Sequence, residues 1–354
     1  MGESPKSEIR AMLPKEIQDI LDARGLELVE ILQRPDTARR RFFTLQVRPS
    51  GTRVSLKQKR DLIMKIFGRG DAPVLTSFAR EVGFLRLVRD EDHAVSSWTP
   101  QFLEEGSDPQ PWYLRECAEG EFLGDICFDF GIKEDFLTTG FRREFLGFLV
   151  ALHLFSKTVE GTKVHSSLTR HDYRWYEDDR NFYRQHIEAV SQGELSKIGE
   201  ILRVREDLLG SEANVFVHGD LYLKNMFWSA QGRDRPTSAG LRRDRSVRGR
   251  GRLAVIDWEL LHLGNRAFDL GFVWALSWRS PRWRERLVSE FESGLPTEER
   301  SRFRELLDIV ALSVSLRFIR HSEIMAGMVT GEALANAHQA KEAHLEALRR
   351  VLAL

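Results

Sequence analysis

The apolar pattern changes about a third of the way along the chain, and this change limits the folds that the chain can adopt. Up to about residue 117, short runs rich in Val, Ile, Phe and Thr, such as 26–32 and 62–67, predict β-strands. A helix is predicted after the third strand, with Thr76 or Ser77 as its N-cap. From Phe141 onward, apolar residues recur at helical spacing. The sequence therefore predicts an α+β protein with a small sheet lobe followed by a larger, mainly helical lobe.

The length of 354 residues is also that of two domains. We place the boundary between residues 117 and 118. Residues 1–117 are then an N-terminal lobe and 118–354 a C-terminal lobe. The two cysteines, Cys117 and Cys127, lack the spacing of a zinc or redox motif and indicate a reducing compartment.

Overall charge and apolar content exclude several classes of protein. The formal net charge of +0 gives no indication of a nucleic-acid partner or an anionic membrane. The longest apolar runs are shorter than the roughly 18 residues of a membrane helix, and the polar first residues lack the apolar core of a signal peptide. We therefore expect a cytoplasmic protein that binds neither membrane nor nucleic acid.

One segment, 229–252, departs from this average composition. Between residues 231 and 252 there are eight Arg and two Asp, several Gly and almost no apolar residues. Such a composition cannot bury a core and predicts a flexible insertion at the surface of the C-terminal lobe. Residues 231–252 are a weak candidate for binding an anionic partner, and a solvated loop is the alternative.

Two other short segments carry acids and an amide suited to phosphate chemistry. Asp220 is followed five positions later by Asn225, and Asp257 ends a β-branched run. Phosphoryl transfer requires positioning and cancellation of negative charge. Mg²⁺ accepts a carboxylate, an amide oxygen and phosphates as ligands. We therefore predict Asn225 and Asp257 as metal ligands, Asp220 as the catalytic residue that orients an acceptor hydroxyl, and His218 as a brace for the loop.

The segments 218–225 and 256–259 resemble those of the aminoglycoside phosphotransferase and choline kinase superfamily. Gly264 and the run Asp269-Leu270-Gly271 fit the next motif of that family. The resemblance implies a bilobal, protein-kinase-like fold with an antiparallel sheet in the N-terminal lobe. It also implies ATP and Mg²⁺ as cofactors, and Asp269 as structural support of the catalytic loop.

The N-terminal lobe supplies the residues that kinases of this type use to bind a nucleotide. Lys65 interrupts an apolar strand, where a charge is costly unless paired. Glu81 follows 16 residues later on the apolar side of the predicted helix. We predict that Lys65 binds the nucleotide phosphates and that Glu81 holds Lys65. The alternative is a lysine on an edge strand that faces water. The stretch after Trp112 resembles a kinase hinge, which implies that backbone groups of Glu116 and Ala118 contact adenine.

The loop between the first two strands departs from the kinase pattern. Residues 33–40 contain no glycine, although kinases usually close over the phosphates with a glycine-rich turn. Its backbone amides could still approach a phosphate, or the loop could be solvated surface. This departure leaves open a catalytically impaired, kinase-like protein that binds a nucleotide or a partner.

Three features favour a small-molecule acceptor. Asp269 follows only 12 residues after Asp257, no Ala-Pro-Glu segment follows, and Gly219 stands where protein kinases carry arginine. Together with these features, the resemblance implies an ATP- and magnesium-dependent transfer of a γ-phosphate to a hydroxyl of an aminoglycoside, a choline-like compound, a sugar or an amino alcohol. The nature of the acceptor stays open. Candidates for binding a cation are Glu177, Asp178, Asp179, Trp274, Trp278 and Trp283, and candidates for binding an anion are Arg279, Arg282 and Arg284.

Overall fold

A computed structural model describes residues 9–35, 42–50, 61–68, 72–91, 93–229 and 251–353. The chain forms two compact units, Met1–Ala118 and Glu119–Leu354. Most of the glycine-free loop and nearly all of the Arg-rich insertion lie outside the described residues, so the interpretations of both segments stay predictions. The functional roles assigned to the two lobes also stay predictions.

The N-terminal unit is built on an antiparallel sheet of five described strands in the order β1-β2-β3-β5-β4. One helix precedes the sheet and a longer one follows its third strand. The elements are α1 (Lys15–Ala23), β1 (Leu26–Gln33), β2 (Phe42–Pro49), β3 (Leu62–Phe67), α2 (Ala72–Asp90), β4 (Phe102–Gly106) and β5 (Trp112–Glu116).

Strand β3 lies in the middle of this sheet, and all six of its residues are buried. Its bounds agree with the apolar run predicted from the sequence. The predicted start of the following helix at Thr76 or Ser77 is wrong, because α2 begins at Ala72 and the Thr76 hydroxyl donates to the Ala72 carbonyl within the helix. Strand β4, with the sequence FLEEG, was not predicted because it carries only two apolar residues.

The C-terminal unit is mainly helical. Among the described residues, one short strand is followed by five α-helices, then by four short strands, and four further α-helices end the unit. They are α3 (Thr139–Thr158), α4 (Lys163–Ser167), α5 (Tyr173–Arg184), α6 (Gln192–Val204), α7 (Glu206–Glu212), α8 (Phe268–Leu276), α9 (Pro281–Ser293), α10 (Thr297–Ala326) and α11 (Gly331–Leu352). Every residue of α8 is buried, and the 30-residue α10 packs against both α8 and α11.

Two small antiparallel sheets carry the motif segments of this unit. In one sheet β8 lies between β6 and β9, and in the other β7 pairs with β10. The register of β8 and β9 runs from Met226 opposite Val255 to Ser229 opposite Arg252. The two ends of the Arg-rich insertion are therefore held side by side. The strands are β6 (Glu121–Phe122), β7 (Val215–Val217), β8 (Met226–Ser229), β9 (Arg252–Val255) and β10 (His262–Gly264).

None of the helices within the described ranges has the combination of length and apolar sequence needed to cross a bilayer.

Candidate active site

The predicted lysine–glutamate pair forms within the N-terminal unit. The Lys65 ammonium donates to the Glu81 carboxylate at 2.8 Å, and 4% of Lys65 and 1% of Glu81 is exposed. The second carboxylate oxygen of Glu81 accepts from the Tyr113 hydroxyl at 2.9 Å. The same ammonium lies 4.1 Å from the centre of the Phe42 ring. The interpretation of Lys65 as a solvated lysine on an edge strand is therefore wrong.

The predicted hinge residues lie at the end of this unit. Glu116 is the last residue of β5, and its N–H donates to the Gln101 carbonyl while its own carbonyl accepts from the Arg115 guanidinium at 2.9 Å. A carbonyl has a second lone pair, so Glu116 could offer only its carbonyl to a base. Ala118 follows the strand and is half-buried. The adenine contacts of both residues stay predictions.

In the C-terminal unit, the predicted catalytic loop, residues 218–225, is held through its backbone. Asp269, in the first turn of α8, accepts from the N–H of His218 at 2.7 Å and from the N–H of Gly219 at 3.1 Å. It is fully buried, and burial raises its pKa to about 7 against the lowering effect of these two hydrogen bonds. Gly219 has φ of +82°, and a Cβ there would lie 2.6 Å from the Leu260 carbonyl oxygen. Any larger residue would therefore strain this turn.

His218 links the catalytic loop to the strand end that carries Asp257. One ring nitrogen, Nδ1, accepts from the N–H of Asp220 at 3.3 Å, so the proton lies on the other nitrogen, Nε2, which donates to the Ile256 carbonyl at 2.9 Å. Burial lowers the pKa of this histidine to about 4. The ring is therefore neutral at physiological pH and serves as a fixed two-ended connector.

The side-chain amide of Asn225 at the end of the loop restrains Asp220 near its start. Its Nδ2 donates to the Asp220 carbonyl at 2.8 Å and to the Asp220 carboxylate at 3.1 Å. The amide oxygen of Asn225 then remains as an acceptor. Asp220 is half-buried rather than exposed. Burial, with the negative charge of Asp257, raises its pKa to about 7 against the positive charge of Arg317.

Asp257 follows directly on the strand that is paired with the loop. The N–H of Ile256 donates to the Asn225 carbonyl at 3.0 Å, and Met226 lies opposite Val255. Asp257 itself adopts the left-handed conformation, with φ of 69°, a region that aspartate tolerates better than most residues. An amide oxygen and a carboxylate thus lie at adjacent strand ends, a donor set that fits Mg²⁺.

One charged residue near the catalytic loop was not predicted. Arg317 of α10 lies 5.2 Å from the ring of Phe272, and that ring is 5.7 Å from the ring of Tyr222 in the catalytic loop. The guanidinium pairs with Asp179 at 3.5 Å. No spacing pattern in the sequence marks this arginine, because its contacts come from helices far away in the chain.

Most of the residues proposed to bind an acceptor already have partners inside the unit. Glu177 forms a two-pronged pair with Arg180 at 2.5 and 3.1 Å. The rings of Trp274 and Trp278 lie under Arg284 and Arg279, at 3.6 and 4.3 Å. The third tryptophan, Trp283, donates to the Thr138 carbonyl and stacks on Phe141. The tryptophans therefore form part of the core, and Asp178 is exposed on the outer side of α5.

A sequence model of one protein family matches this chain. The model is described as the phosphotransferase enzyme family, and it matches residues 46–237 and 245–306, which is more than half of the chain. The chain belongs to this phosphotransferase family. The match includes Lys65 and Glu81 in the N-terminal unit and the catalytic loop with Asp257 and Asp269 in the C-terminal unit. No curated protein sequence matches the chain.

Three solved structures are similar to this chain over most of its length. The apo form of a thermostable mutant of aminoglycoside phosphotransferase APH(4)-Ia has a TM-score of 0.55 at 14% identity, over 94% of this chain and 98% of that one. Choline kinase from Cryptosporidium parvum Iowa II has a TM-score of 0.52 at 14% identity, over 97% and 94%. Spectinomycin phosphotransferase APH(9)-Ia, in complex with ADP and spectinomycin, has a TM-score of 0.51 at 14% identity, over 97% and 99%.

Both the family and the fold agree with the sequence analysis. The predicted α+β, protein-kinase-like fold class is confirmed, as is the predicted resemblance to aminoglycoside phosphotransferases and choline kinases. Membership of the family supports phosphotransferase activity on a small molecule.

Proposed function

We propose that this phosphotransferase moves the γ-phosphate of ATP, in the presence of Mg²⁺, to a hydroxyl of a small molecule. The main support is the catalytic loop, in which Asp269 and His218 orient Asp220 and Asn225 beside the strand end that carries Asp257. The complex of ADP with the similar spectinomycin phosphotransferase supports a nucleotide donor.

The proposed reaction assigns a role to each residue of the site. The hydroxyl oxygen of the acceptor forms a bond to the γ-phosphorus while the bond from that phosphorus to the β,γ-bridging oxygen breaks, so that ADP leaves. Asp220 accepts the hydroxyl proton, and its pKa of about 7 suits a general base. The buried ammonium of Lys65, oriented by Glu81, binds nucleotide phosphates.

The carboxylate of Asp257 and the amide oxygen of Asn225 would hold the metal. When bound, Mg²⁺ neutralises negative charge on the phosphates. Asn225 has a second task that needs no metal, because its Nδ2 restrains the Asp220 carboxylate at 3.1 Å. The two tasks use different atoms of the same amide and do not compete.

Turnover by single variants tests these assignments. Asp220→Asn and Asp257→Asn should each lower ADP release from Mg²⁺–ATP by at least ~10²-fold, a typical loss when a group that stabilises the transition state is removed. Asp178→Asn is the matched control, because this aspartate is exposed on the outer side of α5. The panel of acceptors should include kanamycin, choline, ethanolamine and simple sugars.

Thermal stability with and without Mg²⁺–ATP separates the proposal from its alternative. A rise in melting temperature with Mg²⁺–ATP, together with turnover, supports a kinase. The same rise without transfer to any acceptor or to water indicates the catalytically impaired protein. Full turnover by Asp220→Asn would show that Asp220 is not the general base.

A cytoplasmic location remains part of the proposal. Cys117 and Cys127 are both free thiols in the structure. This state agrees with a reducing compartment.

A further inference from the structure

A basic and hydroxyl-rich site lies beside the catalytic loop in the C-terminal unit. Arg317 is close to two phenols, Tyr183 and Tyr222. The Arg317 guanidinium faces both hydroxyl groups, and it lies 5.2 Å from the Phe272 ring that packs against the Tyr222 ring. The N–H of Tyr222 donates to the Asp220 carbonyl at 2.7 Å. The Arg317 guanidinium thus lies near the loop that carries Asp220, with both phenols beside it.

The nearby acid does not make this site suitable for a cation. Asp179 is mostly buried, with 13% of its side chain exposed, and it pairs with Arg317 at 3.5 Å. Its other oxygen accepts from the Ser313 hydroxyl at 2.6 Å. A cationic acceptor would have to compete with Arg317 for this carboxylate and approach a fixed positive charge.

Other candidates for a cation site are also occupied by arginines. The rings of Trp274 and Trp278, which could have faced an ammonium group, are covered by Arg284 and Arg279. Glu177 is paired with Arg180. Glu177 and these two tryptophan rings are therefore already occupied and are not available to a cationic group of the acceptor.

We propose that the acceptor carries a carboxylate or phosphate group in addition to its hydroxyl, and that Arg317 binds this anionic group. This inference rests on the proposed function and specifies its substrate class. A planar guanidinium matches the two oxygens of a carboxylate or phosphate, and the phenols of Tyr183 and Tyr222 are further donors. Arg317 would determine which acceptors bind, and Asp220 would keep its role as the general base.

Acceptors with the same carbon skeleton but different charge test this assignment. Glycerol is neutral, D-glycerate and glycerol phosphate are anionic, and aminopropanediol is cationic. ADP release from Mg²⁺–ATP is measured for the wild type, Arg317→Met, Arg317→Lys and Asp179→Asn. Arg320→Met is the control, since Arg320 lies one turn further along α10 and faces Glu323 at 3.8 Å.

We expect the anionic compounds to be preferred in kcat/KM. Arg317→Met should lower that preference, measured as the ratio of kcat/KM for D-glycerate to kcat/KM for glycerol, on the order of 10- to 100-fold, the usual effect of losing a hydrogen bond to a charged group. The ratio is the readout because loss of the Arg317 charge also acts on Asp220 and changes the turnover of both compounds. Arg317→Lys should retain part of the preference, Asp179→Asn should increase it, and Arg320→Met should not alter it. Asp179→Asn keeps the test decisive if Arg317→Met folds poorly.

Three results would overturn the inference: better use of glycerol or aminopropanediol than of the anions, an equal effect of Arg317→Met on all compounds, or neither turnover nor an Arg317-dependent thermal shift with the anions. Mg²⁺-dependent ATP hydrolysis without acceptor identifies which idea has failed. If hydrolysis persists, only the acceptor class is wrong. If neither hydrolysis nor transfer occurs, the proposed function fails as well.

Discussion

Lys65 in the N-terminal unit and Asp269 in the C-terminal unit are both buried ionisable groups, but they are held in different ways. Lys65 pairs with the side chain of Glu81, 16 residues away. Asp269 accepts hydrogen bonds from backbone N–H groups of His218 and Gly219, 51 and 50 residues away. The first arrangement fixes the position of one charge, whereas the second fixes the path of a loop. The two units should therefore respond differently when one partner is removed.

The largest effect is expected at the ion pair. Lys65→Met or Glu81→Gln alone leaves one buried charge without its partner, which costs roughly 3 to 5 kcal/mol of unfolding free energy. The double variant has no such charge and keeps an acceptor for the Tyr113 hydroxyl, so it should recover most of the loss. Turnover should remain at least ~10²-fold below the wild type in every variant without Lys65.

Denaturant unfolding and ADP release measure these two quantities. Hydrogen exchange followed by mass spectrometry assigns the loss of stability to the N-terminal unit. If the double variant were as unstable as the single ones, the buried charge would not be the cause. If it recovered full turnover, Lys65 would have no role in binding phosphate.

A smaller effect on stability is expected at Asp269. Asp269→Ala leaves two buried N–H groups unpaired, at a cost of roughly 2 to 4 kcal/mol. The stability of Asp269→Asn should lie between that of the alanine variant and that of the wild type. Its amide oxygen can accept from one of the two N–H groups, whereas its NH₂ group faces the other donor. Exchange at residues 217–221 should rise in both variants, which would show that the carboxylate holds the loop.

Asp172→Ala provides the matched control. This aspartate also accepts from a backbone N–H, that of Arg174 at 2.9 Å, but it caps α5 where water can replace it. Its loss should cost about 1 kcal/mol. An equal cost for the two alanine variants would contradict the difference in burial on which the comparison depends.

The smallest effect concerns pH and extends the comparison to neutral buried groups. His344 of α11 is fully buried, and burial lowers its pKa to about 3, with the charge of Arg284 adding to the shift. The unfolded chain has the ordinary value of about 6.5. As pH falls below that value, the unfolded state takes up a proton that the folded state refuses, so stability is lost.

Between pH 7 and pH 5 this histidine should account for about 2 kcal/mol of the lost stability. His344→Phe preserves the stacking with Phe318, whose ring lies 5.1 Å away, and should reduce the loss by that amount. His338→Phe, at an exposed position of the same helix, should not. Urea unfolding at both pH values measures how much stability each variant loses. An equal loss in His344→Phe and His338→Phe would refute the prediction.

Local sequence pattern was sufficient to predict much of the fold and to select most of the candidate site residues. The apolar run at β3 and the interrupting Lys65 were recognised because burial of a whole strand is visible in the sequence. Asp220 and Asn225 were selected by their five-residue spacing, and Asp257 by its position at the end of a β-branched run. Strand β4 was missed because FLEEG becomes a strand through pairing with β5 rather than through its own apolar content.

Arg317 illustrates what pattern could not provide. It is one of several arginines in a 30-residue helix, and nothing in its neighbours along the chain distinguishes it. Its pairing with Asp179 joins two helices that are more than a hundred residues apart. The start of α2 was also misplaced, since the Thr76 hydroxyl bonds within the helix instead of capping it.

By itself, the sequence determined the change from strands to helices, the candidate acids and amide of the site and the family to which the chain belongs. Only the tertiary structure decided that Asp269 is held by backbone N–H groups and that Asp179 pairs with Arg317 and Ser313, whereas the pairing of Lys65 with Glu81 had been predicted. The physical reason is that the energy of a charge depends on its burial and on the groups around it. Those groups come from distant parts of the chain, where residue spacing carries no information about them.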